Sequence, residues 1–407
     1  MTERTTQVLA LFIFAAAHFH ATAEGAPVEH VDLYPFPVEG GLSATPDGPD
    51  SYRYAGWPAN GKFFSWEDEL LLVFAYVPAA SEASDSYHAT GEGNSYLWST
   101  RSFDGGKTWT DSAQQGAGLI APHDAITLTD PIDFKHSDLA LMIQMTGSQQ
   151  GPSRLLYSTD RGRSWYGFYQ LDLPGGFDPI AARSDYIIED SSTLRLLSSA
   201  GHEKDEDGTS PHQWITSDGG LNWKLLGPTG LYTPDLEQWE WSIMPATVKL
   251  SDGTLVQAAR TKGSGRPFRN YHPIHRSTDG GKTWNLTSHV FLEDVQRSGK
   301  GYHTPSDLDL IPGTDTLVCT YVDRGSPGRL LAKLSIDSGL SWSEEIILRE
   351  DAGNHDIGYP ETVFRADGKA VTVAYWNLKD DPKAWSKHHN PRFLAFAIWD
   401  PKLFLDK

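Results

Sequence analysis

The chain of 407 residues has little cysteine and comparatively little positive charge. Its one cysteine, Cys319, excludes a disulfide within the chain, so the fold must depend on its core. Cys319 lies in the apolar run 317–321, which indicates a small buried side chain rather than a nucleophile. Lys and Arg number 34 against 53 Asp and Glu, and the net charge of −19 disfavours nucleic acid and anionic membranes as partners.

Motifs for metals and cofactors are missing as well. The sequence contains no metal-ligand motif of recognised spacing, no phosphate-binding loop and no Ser-His-Asp signature. We therefore expect no cofactor and assign no metal ligand.

Long apolar runs are absent, and the longest candidate lies at the N-terminus. Arg4 precedes the apolar run 8–17, and Ala21-Thr22-Ala23 then supplies the small residues that a signal peptidase prefers. The run is too short to span a bilayer, so no membrane insertion is expected. The pattern predicts a signal peptide over residues 1–23, a single domain over residues 24–407, and a secreted or periplasmic protein.

Aromatic residues and glycine are abundant. The chain has 14 Trp, 16 Tyr, 17 Phe and 38 Gly, with few amphipathic helical stretches. This composition is typical of an all-β chain with many short strands and tight turns.

An eight-residue motif, Ser/Thr-x-Asp-x-Gly-x-x-Trp, is repeated five times. Its copies begin at Ser102, Ser158, Thr216, Ser277 and Ser335, so successive starts are 56, 58, 61 and 58 residues apart. In each copy, known as an Asp-box, the Asp can accept backbone N–H bonds while Gly takes a positive φ. A spacing near 58 residues suits one four-stranded blade, and the chain has room for six. The repeats predict a six-bladed β-propeller with five Asp-boxes, in which one blade lacks a box or is closed from both termini.

A second repeat has the form strand, turn, strand. It occurs in residues 245–260 and 360–376, with related versions in 305–324 and 53–76. Because a hairpin brings its two open ends together, these ends should converge on one face of the propeller, away from the Asp-boxes. The paired ends are Met244 with Arg260, Tyr359 with Trp376, and His303 with Arg324.

On these motifs the sequence resembles the sialidase (neuraminidase) superfamily over essentially the whole mature chain. The resemblance implies three arginines that hold the carboxylate of an acidic sugar through paired donors. The matching positions are Arg53 in the segment that opens the first blade, Arg260 after its hairpin, and Arg324 or Arg329 before the last box. Trp57 and His303, at comparable positions, are assigned to substrate contact.

The resemblance also implies a tyrosine nucleophile, which matches Tyr359. A neutral nucleophile avoids repulsion by the carboxylate of the sugar. The residue that matches the superfamily's glutamate base is Met244, so the base is sought upstream, at Glu240 or Glu237. The general acid is sought in the loop before the first box, where Asp85, His88 and Glu92 are candidates.

These assignments predict an exo-acting glycoside hydrolase, working as a monomer, that removes a terminal acidic sugar such as sialic acid from a glycan or glycoconjugate. Two alternatives stay open. Several histidines beside a tyrosine and arginines also suit a uronate-directed lyase, or another glycosidase on the same propeller. The replacement of the glutamate by Met244 also suits a non-catalytic glycan-binding propeller.

Overall fold

The computed structural model describes residues 28–34, 52–78, 96–110, 125–144, 153–201, 210–230, 239–263, 269–294, 304–380 and 392–405. Within these ranges the chain forms 23 strands in six antiparallel sheets. The sheets are the blades of a six-bladed β-propeller, so the predicted fold class is confirmed. No helix in the described part is long and apolar enough to cross a membrane.

The first three blades follow one another along the chain. Blade one contains β2 (Tyr52–Gly56), β3 (Lys62–Trp66), β4 (Glu69–Pro78) and β5 (Tyr96–Ser102), with a 3-10 turn at Pro58–Asn60. Blade two contains β6 (Ala140–Gln144), β7 (Arg154–Ser158) and β8 (Tyr166–Gln170). Blade three contains β9 (Asp178–Ile188), β10 (Leu194–Gly201), β11 (Ser210–Thr216) and β12 (Lys224–Pro228).

The last three blades complete the ring. Blade four contains β13 (Trp239–Lys249), β14 (Leu255–Gly263), β15 (Arg269–Ser277) and β16 (Asn285–Asp294). Blade five contains β17 (Asp307–Leu310), β18 (Leu317–Asp323), β19 (Arg329–Ser335) and β20 (Ile346–Arg349). Blade six contains β21 (Gly358–Phe364), β22 (Ala370–Trp376), β23 (Phe393–Trp399) and the N-terminal β1 (Val28–Leu33), and a 3-10 turn at Pro401–Phe404 follows.

Blade six is closed from both ends of the chain, as one alternative of the repeat count predicted. Strand β1 pairs with β23, from Val28 opposite Trp399 to Leu33 opposite Leu394. Arg349 on β20 forms an ion pair with Asp32 of β1, and its guanidinium lies 5.7 Å from the ring centre of Trp376. These contacts tie the N-terminal strand to blade five as well as to blade six.

The core lies between neighbouring blades. Because each sheet is covered on both faces, strands such as β22 and β23 are buried along their whole length. Cys319 on β18 is a fully buried packing residue, as expected. The tryptophan of the first box, Trp109, stacks on Phe396 of blade six at 4.2 Å between ring centres, so this box also joins two blades.

All five Asp-boxes form the hydrogen bonds that the motif predicts. In the first, the Ser102 hydroxyl donates to Asp104 at 2.8 Å and accepts from the Gly106 N–H at 2.8 Å. Asp104 also accepts from the Thr108 N–H and hydroxyl, at 2.9 and 2.6 Å. The same bonds recur around Asp160, Asp218, Asp279 and Asp337.

The boxes lie at the end of the blades opposite to the open hairpin ends. In blade four the box begins at Ser277, which pairs with Leu255, and Leu255 in turn pairs with Lys249. Met244 and Arg260 lie at the other end of the same hairpin, where Ile243 pairs with Arg260. The structure therefore separates the scaffold turns from the face on which a site was expected.

We expect the box carboxylates to stabilise the fold in a pH-dependent way. Burial would raise the pKa of Asp160, but hydrogen bonds from Ser164 and Ser158 lower it to about 2. Because the pKa is lowered on folding, the stabilisation is full above about pH 4 and is lost as the pH falls towards about 2. Asp160→Asn should lower the free energy of unfolding by about 1 kcal/mol at neutral pH, after allowance for solvent screening, with a difference that shrinks in acid.

Urea unfolding at several pH values tests this expectation. Glu350→Gln is the control, because Glu350 is exposed and has no hydrogen bond among the described residues. A difference between wild type and Asp160→Asn that stays constant down to about pH 2 would contradict the expectation.

Candidate active site

Three residues at the open hairpin ends have a strained backbone. Trp57, Met244 and Tyr359 have φ values of 48°, 56° and 57°, in the left-handed region that non-glycine residues rarely adopt. Each is followed by proline. Met244 lies where the β13–β14 register shifts, and Tyr359 lies where the β21–β22 register shifts, so both occupy β-bulges in the first strand of a blade. Strained residues and bulges of this kind cluster at functional sites.

The three strained residues belong to one cluster, although they come from blades one, four and six. Met244, Tyr359 and Tyr375 are buried together, with Trp57 and Ile243 partly buried against them. The ring centre of Tyr375 lies 6.0 Å from that of Tyr359 and 6.2 Å from that of Trp57. We call Trp57, Ile243, Met244, Tyr359 and Tyr375 the mouth.

The two tyrosines of the mouth differ in their hydroxyl groups. Tyr375 is fully buried; its hydroxyl donates to Asp356 Oδ1 at 3.2 Å and accepts from Arg324 Nη2 at 2.7 Å. Tyr359 keeps 9% of its surface exposed, and its hydroxyl has no hydrogen bond to any described residue. The Tyr375 hydroxyl thus has hydrogen-bond partners within the protein, whereas the Tyr359 hydroxyl is the one that can form a hydrogen bond or a covalent bond with a ligand.

Arg324 contacts the backbone just before Tyr359. It is buried, and its Nε donates to the Ile357 carbonyl at 2.7 Å. Gly358 makes this approach possible, since a Cβ there would lie 2.1 Å from Thr304 Cγ2 and 3.3 Å from Arg324 Nη2. The other arginine considered, Arg329, forms ion pairs with Asp323 at 2.9 Å and Glu345 at 3.5 Å. Arg324 is therefore the arginine of this pair that contacts the mouth.

A buried ion pair supports Arg324 and Tyr375 from behind. Arg392 Nε donates to Asp356 Oδ2 at 2.9 Å, and the two side chains are only 5% and 3% exposed. Asn377 Nδ2 holds the Asp356 carbonyl at 2.9 Å. The Arg392 carbonyl accepts from the Ala55 N–H of blade one at 3.0 Å.

Other predicted site residues are described only in part. Arg260 is half-buried and pairs with Ile243, next to Met244. Arg53 on β2 and Glu240 on β13 have a described backbone but no described side chain. Asp85, His88, Glu92, His303 and Glu237 lie outside the described residues.

The structure brings together three of the predicted residues, Trp57, Arg324 and Tyr359, around Tyr375. Met244 is almost fully buried in the apolar cluster, and its N–H donates to the Ser199 hydroxyl at 2.8 Å. Among the described residues no group of three His, Cys, Asp or Glu side chains is arranged to hold a metal.

Tyr375 and Arg392 were not expected at the site, whereas Asp356 was expected among the polar residues that could reach this face, without a catalytic role. Three pairs, Trp57-Pro58, Met244-Pro245 and Tyr359-Pro360, were the available signal. A bulky residue before proline at the same point of several blades marks the strained positions.

The comparisons with known proteins agree with this architecture. Residues 128–373 match the model of the BNR repeat-like domain family. A curated xyloglucanase from Paenibacillus sp. is 25% identical over 261 residues, which are 60% of this chain. The match spans 22% of the length of that xyloglucanase.

Solved structures share the propeller at low identity. A protein of unknown function from Dyadobacter fermentans has a TM-score of 0.63 at 20% identity, covering 92% of this chain and 99% of its own. An inhibitor-bound mutant of a Fusarium graminearum α-L-arabinofuranosidase has a TM-score of 0.56 at 14% identity, covering 91% and 97%. The Hadza microbial sialidase has a TM-score of 0.54 at 16% identity, covering 87% and 66%. Because the family match covers more than half of the sequence, the chain belongs to the BNR repeat-like domain family, and its six sheets form a six-bladed β-propeller.

Proposed function

We propose that the chain is a glycoside hydrolase that acts at the mouth and removes a terminal acidic sugar, with sialic acid as the first candidate. The observation that carries the proposal is Tyr359, a strained residue whose hydroxyl has no hydrogen bond to a described residue and whose ring packs beside Tyr375, the residue that accepts a bond from buried Arg324. The xyloglucanase, the arabinofuranosidase and the sialidase named above are glycoside hydrolases by name, which supports the reaction class.

Local charge supports an acidic sugar. The chain carries a net charge of −19, yet the described network behind the mouth has two arginines, Arg324 and Arg392, and one carboxylate, Asp356. Half-buried Arg260 adds a further positive charge next to Met244. A guanidinium presents planar paired donors to a carboxylate, so we assign Arg324, Arg260 and Arg53 to the sugar carboxylate.

Tyr359 is assigned as the nucleophile. Its oxygen forms a bond to the anomeric carbon as the glycosidic bond breaks, and the leaving oxygen takes a proton from Asp85, His88 or Glu92. Water then attacks the same carbon and gives a proton to the residue that acted as acid, while the bond to the Tyr359 oxygen breaks and this oxygen takes back its proton from the base, releasing the free sugar. Trp57 and His303 are assigned to contact the substrate.

The proton on the Tyr359 hydroxyl needs an acceptor. Free phenol has a pKa near 10, so a base or nearby cations must assist its loss. Met244 has no basic group, and we assign the role to Glu240 on β13, four residues earlier, in preference to Glu237.

A second candidate function has one observation in its favour. The position that the superfamily resemblance gives to a glutamate is occupied by Met244, which is buried in an apolar cluster. An apolar cluster with arginines beside it is also consistent with a propeller that binds an acidic glycan without cleaving it. Binding without turnover would favour this candidate, and an unsaturated uronate product would favour a lyase.

We also propose that the mature protein works outside the cytoplasm, because the N-terminal residues have the pattern of a signal peptide. Edman sequencing of protein exported by an expressing cell should begin at Glu24. Retention of the intact N-terminus in the cytoplasmic fraction would contradict this assignment.

Replacing Tyr359 tests the proposed hydrolysis. Tyr359→Phe should lower turnover of a fluorogenic α-sialoside by at least about 10³-fold, because the variant lacks the attacking oxygen. Its free energy of unfolding should change by less than about 0.5 kcal/mol, since the hydroxyl has no described partner. Tyr166→Phe, at an exposed position on the outer strand β8, is the control and should retain full turnover.

A fluorogenic α-L-arabinofuranoside should be assayed in parallel as a neutral sugar. Turnover of the neutral sugar alone would contradict the acidic substrate and leave the hydrolase class intact. Full activity of Tyr359→Phe on the sialoside would remove Tyr359 as the nucleophile.

A further inference from the structure

In the hydrogen bonds behind the mouth, the chemistry of the side chains determines which group donates and which accepts. A guanidinium can only donate, so the 2.7 Å contact between Arg324 Nη2 and Tyr375 Oη makes the tyrosine oxygen the acceptor. The single O–H of Tyr375 is then left to donate to Asp356 Oδ1 at 3.2 Å. The chain of donors therefore runs from Arg324 through Tyr375 to Asp356.

Asp356 receives bonds from both sides. Its Oδ1 accepts from Tyr375, and its Oδ2 accepts from Arg392 Nε at 2.9 Å. The carboxylate thus acts as an acceptor at each oxygen, which keeps the Tyr375 proton on the Asp356 side. The ion pair with Arg392 fixes the position of the Asp356 carboxylate, and the carboxylate in turn fixes the orientation of the Tyr375 O–H bond.

Burial makes this direction important. Tyr375 is fully buried, and Asp356, Arg324 and Arg392 are buried as well. In such a site bulk water does not compete freely for these groups, so a reversed hydroxyl would leave donors facing each other at high cost. The Tyr375 ring also packs beside Trp57 and Tyr359, so the same residue supports the strained part of the mouth.

We propose that Asp356 is a positioning residue that, through the Tyr375 hydroxyl, fixes the Arg324 guanidinium for the carboxylate of the substrate. This inference rests on the proposed function, because it takes an acidic sugar as the ligand. Asp356 itself is not assigned any contact with the sugar. Its effect passes through one hydroxyl, which makes the effect separable from a purely structural role.

The variant Asp356→Asn changes the direction of the bonds with little change of shape. An asparagine amide has only one acceptor oxygen, so it opposes a donor N–H either to Arg392 or to Tyr375, and in the second case the Tyr375 O–H is displaced towards Arg324. Two donors would face each other, and Arg324 Nη2 would lose the Tyr375 oxygen as its acceptor, while Nε keeps the Ile357 carbonyl. We expect the Kd for N-acetylneuraminic acid, measured by calorimetry, to rise about 10- to 100-fold, the size of one lost charge-assisted hydrogen bond.

Tyr375→Phe provides a second route to the same change, and it keeps the test usable where Asp356→Asn is poorly folded. It removes the acceptor of Arg324 directly and should raise the same Kd to a similar extent. Because both variants break one chain of bonds, the double variant should bind about as weakly as either single variant rather than showing the product of their effects.

Tyr321→Phe is the matched control. Its hydroxyl also lies on a buried tyrosine and donates to a carboxylate, Glu345, at 2.9 Å, in blade five. We expect this control to lower the urea midpoint and leave the Kd unchanged. A purely structural role for Asp356 would make its variants behave in the same way.

The outcomes separate this inference from the proposed function. Wild-type protein that neither binds nor cleaves acidic sugars would overturn both. Wild-type binding that Asp356→Asn and Tyr375→Phe leave unchanged would overturn this inference alone. A Kd raised about 10- to 100-fold in both variants, no further rise in the double variant and an unchanged Kd in Tyr321→Phe would support it.

Discussion

Backbone pairing between β1 and β23, over six residue pairs from Val28–Trp399 to Leu33–Leu394, joins the two ends of the ring. The mouth depends on this closure, because its described residues come from blades one, four and six and Arg324 comes from blade five. Asp32 reaches Arg349 on β20 across the joint, and the Ala55 N–H reaches the Arg392 carbonyl. A ring without β1 would expose the edge of β23 and weaken blade six, which positions Arg392 and Asp356.

The two ends of the propeller differ in local structure. At one end, the Asp and the Ser or Thr of each box are satisfied by hydrogen bonds within the box, although Arg161 and Ser338, in two of the boxes, also have positive φ values. At the other end, three positions hold left-handed backbone before proline, and buried charges are packed behind them. Strain and buried charge both lower stability, and the packed blades around them must compensate. At the mouth, unlike at the boxes, the strained residues precede proline, share one cluster and lie in front of a buried ion pair, and this combination is the physical reason to place function there.

Much of the fold could be predicted from the sequence because its signals are local. Each box spans eight residues, and its Asp binds groups within four positions, so the pattern is complete in the printed sequence. The hairpin ends also follow from local turns, which is why Met244 with Arg260 and Tyr359 with Trp376 were expected at one end. The pairing partner of β1, more than 360 residues away, left no such signal.

The candidate site was harder to predict because its interactions are distant along the chain. Tyr375 reads as an ordinary strand residue, and its role appears only when Arg324, 51 positions earlier, and Asp356, 19 positions earlier, are brought beside it. Arg324 and Arg329 were equivalent in sequence, and the choice follows from the acids that pair with Arg329. Arg392 belongs to none of the sequence motifs described above. The residues proposed to touch a ligand were thus easier to anticipate than the residues that hold them in place.

We propose the strained mouth as the place where an acidic glycan is recognised and cleaved. A crystal structure of the Tyr359→Phe variant with an uncleaved sialoside bound tests it most directly. We predict the anomeric carbon within about 4 Å of the edge of the substituted ring, where the missing oxygen would be in attack position, and the sugar carboxylate on Arg324. A sialoside bound elsewhere on the propeller, or bound at the mouth with its carboxylate turned away from Arg324, would contradict the account.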